Sequence, residues 1–546
     1  MPKFTTPLEA FLYWEKHQPD AIFLKQPLDG NVLNYTFKDA GDEIRKIAKK
    51  LIDYNFPKQS HIALLSKNCA HWIMSDIAIM MAGHVSIPIY PTLNAKSVNQ
   101  ILEHSEAKAI IIGKLDNFSS QKEGVPDIPK ISIGIYGESD GELWEDLVQK
   151  MEPLKDVRTQ CLDDLITIIY TSGTTGNPKG VMHTVGNFME STNTLILLFE
   201  LPQHLRLFSY LPLAHVAERL IANSGIILGA SIAFAGSLDT FAKDLENTQP
   251  HIFFAVPRIW TKFQDKILEN LPQKKLSLIL KIPILNTIFK KKLKQKLGLK
   301  EAIFICSAAA PIASSLIKWY KKLGITIQQG YGMTEDCCVS HFNLPTASKI
   351  GTVGKALFNV EAKLSAEGEI CVKNPCLMKG YFKAPEMTAA VFDEEGYLKT
   401  GDIGEYDHDG FLTITGRVKD QFKTDKGKYI SPGPLELEME KNTDIEQICI
   451  VGTGIPQPLA LVTLSELGKS KSREDLSSSL YKTLVDVNPL FEKHERMDKV
   501  VVMKEDWNVA NGLTTPTMKV KRIQIEKIHQ PYYKDWFTKQ DKVIFE

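Results

Sequence analysis

Apolar residues recur along this chain with two different periods. Short β-branched runs such as HIALLS, AIIIG, LITIIYTSG, SIAFAG, HIFFAV and AIFICS read as strands, and SVNQILEHSE and SSLIKWYKKLG carry the spacing of amphipathic helices. Their alternation from about residue 35 to 410 predicts parallel sheets covered by helices. The longest apolar region, WIMSDIAIMMAGHVSIPIY, is interrupted by Asp76, His84 and Pro88. It therefore predicts a core helix followed by a strand, not a membrane span. After Asp402 the punctuation changes. HDGFLTITGRVKDQF predicts two short strands joined through Gly416, PLELEMEKN a helix, QICIVGTG a strand, and EDLSSSLYKTLVDVNPLF a further amphipathic helix. The expected architecture is α/β with two domains, a large one over 1–418 and a smaller α+β one over 419–546.

A chain of 546 residues is too long for one core, which agrees with that division. Hydrophobic content of 43% and charged content of 24% are ordinary for a globular protein, and Lys+Arg and Asp+Glu are both 65. Balanced charge gives no reason to expect a nucleic-acid partner. The first twenty residues lack a basic stretch followed by a cleavage site, and the eight cysteines include no C-x-x-C pair. Neither a signal peptide, a zinc site nor a disulfide framework is expected, and the cytoplasm is the simplest location.

Candidate chemistry begins at Tyr170, where YTSGTTGNPKG follows an apolar strand directly. Gly173, Gly176 and Gly180 let the backbone approach an anion, Thr171, Ser172, Thr174 and Thr175 supply hydroxyls, and Lys179 supplies a cation. The commoner phosphate loop, G-x-x-x-x-G-K-[ST], does not fit, because Pro178 stands where its second glycine should be and Gly180 follows the lysine. The run instead resembles the phosphate loop of the adenylate-forming superfamily, which holds acyl-CoA synthetases, peptide-synthetase adenylation domains and luciferases. Further segments match that superfamily in order: YLPLAHVAERL, FFAVPRIW, SAAAP, QGYGMTE, GEICVKNPCLMKGYFKAPEMTAAVF, KTGDIG, GRVKDQFKTDKGKYISP and LTTPTMKVKR.

The resemblance implies a fold and a set of roles. The fold is a large N-terminal domain of helix-covered sheets with a small β-barrel-like part, followed by a small mobile C-terminal domain. ATP would be attacked at its α-phosphate by a carboxylate, giving an acyl adenylate. Thr171 and Glu335 would bind magnesium, a hard cation that prefers oxygen ligands. Ala308 and Ala309, together with Gln329, Gly330, Tyr331 and Gly332, would line the adenine pocket, and Thr334 would meet the α-phosphate. SAAAP departs from the superfamily's more glycine-rich version. Asp402 and Arg417 match the ribose-binding pair. Lys519 corresponds to the catalytic lysine of the small domain, Lys419 to the hinge, and Lys423 and Gly427 to the loop brought forward for attack by the thiol of coenzyme A. His215 would lie near the substrate carboxylate, or serve only as a structural histidine.

YLPLAHVAER and FFAVPRIW are most similar to the long-chain fatty acyl-CoA synthetase branch. Their apolar residues would line an acyl tunnel or simply form core. A tunnel would discriminate chain length at about 0.8 kcal/mol per buried methylene. The expected activity is ligation of a long-chain fatty acid to coenzyme A. Alternatives are delivery of the acyl group to a carrier-protein phosphopantetheine and a non-catalytic lipid-binding role. Between Leu271 and Lys300 lie Lys274, Lys275, Lys281, Lys290, Lys291, Lys292, Lys294, Lys296 and Lys300, with aliphatic clusters between them and no acidic residue. Such a segment reads either as a solvated helix pair or as a peripheral contact with the anionic face of a membrane.

Overall fold

The computed structural model describes residues 3–157, 159–172, 178–515 and 517–546. In the large domain, strand His61–Leu65 lies between Val85–Ile89 and Ala109–Ile112, all parallel, within an eight-stranded sheet. Leu165–Ser172 joins this sheet parallel to Val85–Ile89, and Pro178–Thr184 folds back on it antiparallel. Every residue of helix Ala70–Met81 is buried, Asp76 included. That carboxylate is tolerated because Arg219 Nη2 lies 2.5 Å from its Oδ1. Removing either partner would leave a buried charge alone.

A second sheet carries strands Ile252–Ala255, Phe304–Ser307 and Gln328–Tyr331 in parallel, followed by antiparallel His341–Phe342 and Lys355–Ala356. The SAAAP and GYGMTE segments leave from the carboxyl ends of Phe304–Ser307 and Gln328–Tyr331, as the phosphate loop leaves from Leu165–Ser172. Loops at strand carboxyl ends are where open α/β sheets hold ligands. Where the resemblance implies a β-barrel-like part, the described residues form an open antiparallel sheet of Glu361–Leu364, Glu369–Lys373, Leu398–Tyr406 and Leu412–Arg417.

Gly416 is a correction to the sequence reading. It lies inside strand Leu412–Arg417, paired with Ile403, and the chain turns only afterwards, at 418–421, before Phe422–Lys423. A Cβ on Gly416 would stand 3.3 Å from Cβ and Oγ of Ser431, so the glycine admits a close approach of the small domain and does not punctuate the strand.

The small domain has its own four-stranded sheet, Ile445–Val451, Leu459–Leu464, Lys499–Val502 and Val543–Phe545. Alternate residues enter two cores. Ile448, Ile450, Val462, Val500 and Val502 pack on one face with helix Arg473–Val487, and Cys449, Val451, Leu461, Val501 and Ile544 pack on the other with Tyr533 and Trp536. The period-two pattern thus buries both faces. Arg258 and Glu446 form an ion pair between the domains. All eight cysteines are free thiols. Among the described residues no helix is long and apolar enough to cross a membrane.

Candidate functional site

The two strands flanking the phosphate loop set Thr171 opposite Lys179 and Ser172 opposite Pro178. Gly173, Thr174, Thr175 and Gly176 lie outside the described residues. Lys179 Nζ stands 5.1 Å from the ring centroid of Tyr381. Its pKa is lowered, first by burial and then by the charge of Lys419, with Glu335 opposing both. Lys419, the loop lysine and the acidic residue of GYGMTE therefore share one electrostatic neighbourhood.

Glu335 occupies a short 3-10 turn, Thr334–Asp336, and is buried. Two contacts from elsewhere in the chain fix this turn. The hydroxyl of Tyr381 donates to Glu335 Oε1 at 2.7 Å, and His183 Nε2 donates to the Thr334 carbonyl at 2.9 Å. His183 is wholly buried, and burial pushes its pKa down to about 4. With its proton on Nε2, its Nδ1 faces the Cys337 thiol at 3.2 Å. The Met333 amide donates to Asp336 Oδ1 at 2.7 Å, and burial raises the Asp336 carboxyl to about 7. Cys337 and Cys338 follow with φ of 51° and 57°, a left-handed pair. Each costs about 1–2 kcal/mol outside glycine. Gly332 is required here, since a Cβ on it would meet Cys338 Cα at 2.5 Å.

On the opposite wall, Asp402 and Arg417 are directly paired across neighbouring strands. Arg417 Nε donates to Asp402 Oδ1 at 2.9 Å, and the Tyr331 hydroxyl donates to Oδ2 at 2.8 Å. The adjacent carboxylate raises the Arg417 pKa. Each Asp402 oxygen keeps a lone pair, enough for two vicinal hydroxyls. Ala308 and Ala309 are half-buried, and Ala309 adopts φ of 69°, the conformation that the superfamily's glycine would take without strain. Gln329 is buried, and its Oε1 and Ser307 Oγ have no hydrogen-bond partner among the described residues. Unsatisfied acceptors at a strand end suit the amino edge of adenine. Gly330 lies in the same strand, Gln328–Tyr331.

Lys519 approaches from the small domain on a tight turn. Its amide donates to Thr515 Oγ1 at 3.0 Å, its carbonyl accepts from the Thr515 amide at 2.8 Å, and Met518 takes φ of 64°. The side chain keeps much of its surface open, yet the protein around its ammonium pushes the pKa down to about 8. Burial is the larger cause, followed by Arg417, with Asp402 and Cys338 opposing. His215 caps helix Val216–Leu228, accepting from the Ala217 amide on Nδ1 at 3.2 Å, so a neutral ring carries its proton on Nε2. Burial, then Lys519, holds its pKa down at about 4. Glu218, farther along the same helix, is buried and pushed up to about 8.

The structure thus brings together Lys179, Glu335, Asp402, Arg417, Lys519 and His215, with Thr171, Thr334 and Tyr331 at their sides. Lys423 and Gly427 stand apart. Both belong to a small hairpin, Lys423 Nζ lies 5.5 Å from the Tyr429 ring, Gly427 has φ of 77°, and no hydrogen bond or ion pair among the described residues joins them to the cleft. Sequence reasoning missed His183 and Tyr381. Tyr381 falls within a quoted segment, KGYF, but nothing in its spacing points to Glu335, and His183 has no motif of its own.

Among the described residues no group of three or more His, Cys, Asp or Glu side chains could hold a metal ion. A magnesium ion would rest on Glu335, the Thr171 hydroxyl and oxygens of the nucleotide, a donor set that suits a cation which keeps much of its water. The arrangement as a whole groups the cations Lys179, Arg417 and Lys519 with the carboxylates Glu335 and Asp402 and the neutral imidazole of His215.

Residues 11–382 match the AMP-binding enzyme family and residues 419–540 match the AMP-binding enzyme C-terminal domain. The chain is 28% identical to the long-chain-fatty-acid–CoA ligase FadD15 of Mycobacterium bovis, over 93% of each chain. It is 27% identical to long-chain-fatty-acid–CoA ligase 5 of Rattus norvegicus, over 92% of this chain and 84% of the relative. The fold superposes on the adenylation domain of a carboxylate reductase from Mycobacterium chelonae with a TM-score of 0.82 at 18% identity, covering 99% of this chain and 92% of the other. It also superposes on o-succinylbenzoate CoA synthetase from Bacillus subtilis, bound to its acyl-adenylate intermediate, with a TM-score of 0.74 at 21% identity, covering 95% and 97%. With the family matched over both domains and the cleft built as described, the chain belongs to the AMP-binding enzymes of the adenylate-forming superfamily.

Proposed function

We propose that this chain activates a long-chain fatty acid with ATP and passes the acyl group to coenzyme A. In the first step a carboxylate oxygen bonds to the α-phosphorus and the bond to pyrophosphate breaks. In the second, the thiol sulfur bonds to the acyl carbon, the bond to AMP breaks, and the thiol proton is released. Negative charge builds on phosphate oxygens in the first step, and fixed cations in a partly dry cleft are what lower such a barrier. The observation that carries the reading is the placement of Lys519: a small-domain amine whose charge is felt by Arg417, Asp402, Cys338 and His215, all on the large domain.

Asp402 and Arg417 hold the ribose, Tyr331 offers its face to adenine, and Thr334 meets the α-phosphate. Glu335 and Thr171 would hold magnesium, which would supply charge to offset that of the pyrophosphate oxygens. The neutral His215 presents Nε2–H toward the substrate carboxylate. The domains divide at 418/419, and rotation there exchanges Lys519 for the Lys423–Gly427 hairpin, which stands outside the cleft in this conformation. The fatty substrate is supported by the names of the sequence relatives, whereas Phe208, Phe253 and Trp260 are buried in a core cluster.

The test is pyrophosphate release with magnesium-ATP across carboxylates from acetate to long-chain acids, with and without coenzyme A, for the chain and for Lys519→Ala. Release that peaks with long-chain acids, yields acyl-CoA and falls about 100- to 1000-fold in Lys519→Ala is expected. Adenylate without thioester would point to a carrier protein as acceptor, and no release with any acid would overturn the reading.

A further inference from the structure

We propose that the helical hairpin of Gln273–Lys281 and Pro283–Lys296 docks the protein on an anionic lipid bilayer. The proposal is independent of the ligase reading, because it concerns a surface away from the cleft. One face of the hairpin is anchored. Leu276 and Leu293 are buried, Leu280 and Phe289 pack beside them against Leu323 and Trp319, and Trp319 Nε1 donates to Gln273 Oε1 at 2.9 Å. The other face, around the turn at Ile282, is bare: Ile284 is 74% exposed and Leu278 61%, with Ile282, Leu285 and Ile288 exposed beside them. Other exposed aliphatic residues, such as Leu238 and Leu197, are scattered and need no explanation. Five clustered on one protruding tip do.

Charge decides what covers the tip. The segment 271–300 holds nine lysines and no acidic residue. Among the described residues only Lys296 and Lys300 form ion pairs, at 3.9 Å with Glu246 and at 3.0 Å with Glu301. A rise of about 1.5 Å per residue sets Lys291 about 10 Å behind Ile284 along the helix axis. With the apolar tip immersed to the depth usual for interfacial helices, roughly 5–10 Å, the exposed Lys291 and Lys292 lie at the level of lipid phosphates. An acidic protein surface would leave the exposed aliphatic side chains uncovered, whereas a bilayer meets them together with Lys281 at the turn, the other cations lying behind. The neutral polar groups near the tip are satisfied within the hairpin: Asn286 Nδ2 donates to the Leu280 carbonyl at 3.1 Å and the Thr287 hydroxyl to the Pro283 carbonyl at 3.0 Å.

Vesicle co-sedimentation of the full chain tests this, with phosphatidylglycerol/phosphatidylcholine vesicles against pure phosphatidylcholine at about 50 mM salt, where surface charge is only partly screened. Two variants keep the buried face intact, Lys291→Glu/Lys292→Glu and Ile284→Ser/Leu285→Ser, and each should melt at the parent temperature. The parent should bind the anionic vesicles, and each variant should lose about tenfold or more in partitioning. The proposal is overturned if the parent ignores anionic vesicles or if both variants bind as the parent does. Loss in the charge variant alone would assign the surface to a polyanion or an acidic protein instead, and loss in the apolar variant alone, with equal binding to neutral vesicles, would remove the anionic requirement.

Discussion

On the large-domain side of the cleft each key carboxylate is held by a tyrosine, Glu335 by Tyr381 and Asp402 by Tyr331, and the turn that carries Glu335 is clamped again by His183. On the small-domain side Lys519 is positioned only through the backbone of its own turn, and its ammonium has no ion-pair partner among the described residues. Arg522, on the same segment, shows that this is not a general looseness. Its guanidinium pairs with Glu436 and bonds to the Ile450 carbonyl, so it serves the small domain's interior. One side of the site is thus held by side chains from distant strands and the other by its own turn, which would suit the proposed exchange of Lys519 between the two steps.

The contrast can be broken most sharply at its fixed pole. Glu335→Gln keeps a carbonyl for the Tyr381 hydroxyl but removes the charge that magnesium needs, and pyrophosphate release should fall about 100- to 1000-fold with little change in melting temperature. Retained activity at low magnesium would remove Glu335 from the metal site.

At the Lys519 pole the handle is pH. With Lys519 at about 8 in the free protein, kcat/KM for pyrophosphate release should decline above that pH, to about one thirtieth by about pH 9.5. Lys519→Arg should flatten the alkaline limb, because a guanidinium stays charged. Stability should move the other way. Between about 8 and the ordinary 10.5 the unfolded chain retains a proton that the folded chain has released, so this group makes unfolding harder as pH rises through that window. Denaturant melts of the chain and of Lys519→Met at several pH values read the difference. An alkaline limb that survives Lys519→Arg would assign it to another group.

The smallest effect sharpens the role of the tethers. Tyr381→Phe should leave Glu335 in place but less well oriented, raising the magnesium concentration for half-maximal release about tenfold with a smaller change in kcat. A change in kcat alone would indicate that Tyr381 acts on the nucleotide and not through Glu335.

These tethers mark where sequence reasoning stopped. That Glu335, Asp402, Arg417 and Lys519 belong to one neighbourhood was expected because each lies in a contiguous motif that resembles the superfamily's, and the roles given to them are those the resemblance implies. Tyr381 and His183 were not expected there, since each reaches its partner from a distant strand, and only the fold puts a phenol beside Glu335 or an imidazole beside the Thr334 carbonyl. Sheets and helices were legible from their periods, and helix Ala70–Met81 with the strand after it follows directly from its apolar run. Gly416 was misread because a glycine in a strand pattern signals a joint as readily as a close approach, and the approaching atom, Ser431 Oγ, belongs to the other domain.

Arg417 ends its strand immediately before the segment proposed to rotate, with the Asp420 amide donating to its carbonyl at 3.2 Å. Its grip on Asp402 is made upstream of that joint, as a forearm is upstream of a wrist. A swing of the small domain about 418–420 would therefore turn the hand without opening the hold on the ribose, and a nucleotide captured in the first step would travel as a tethered intermediate into the second, never needing to be recaptured from solution.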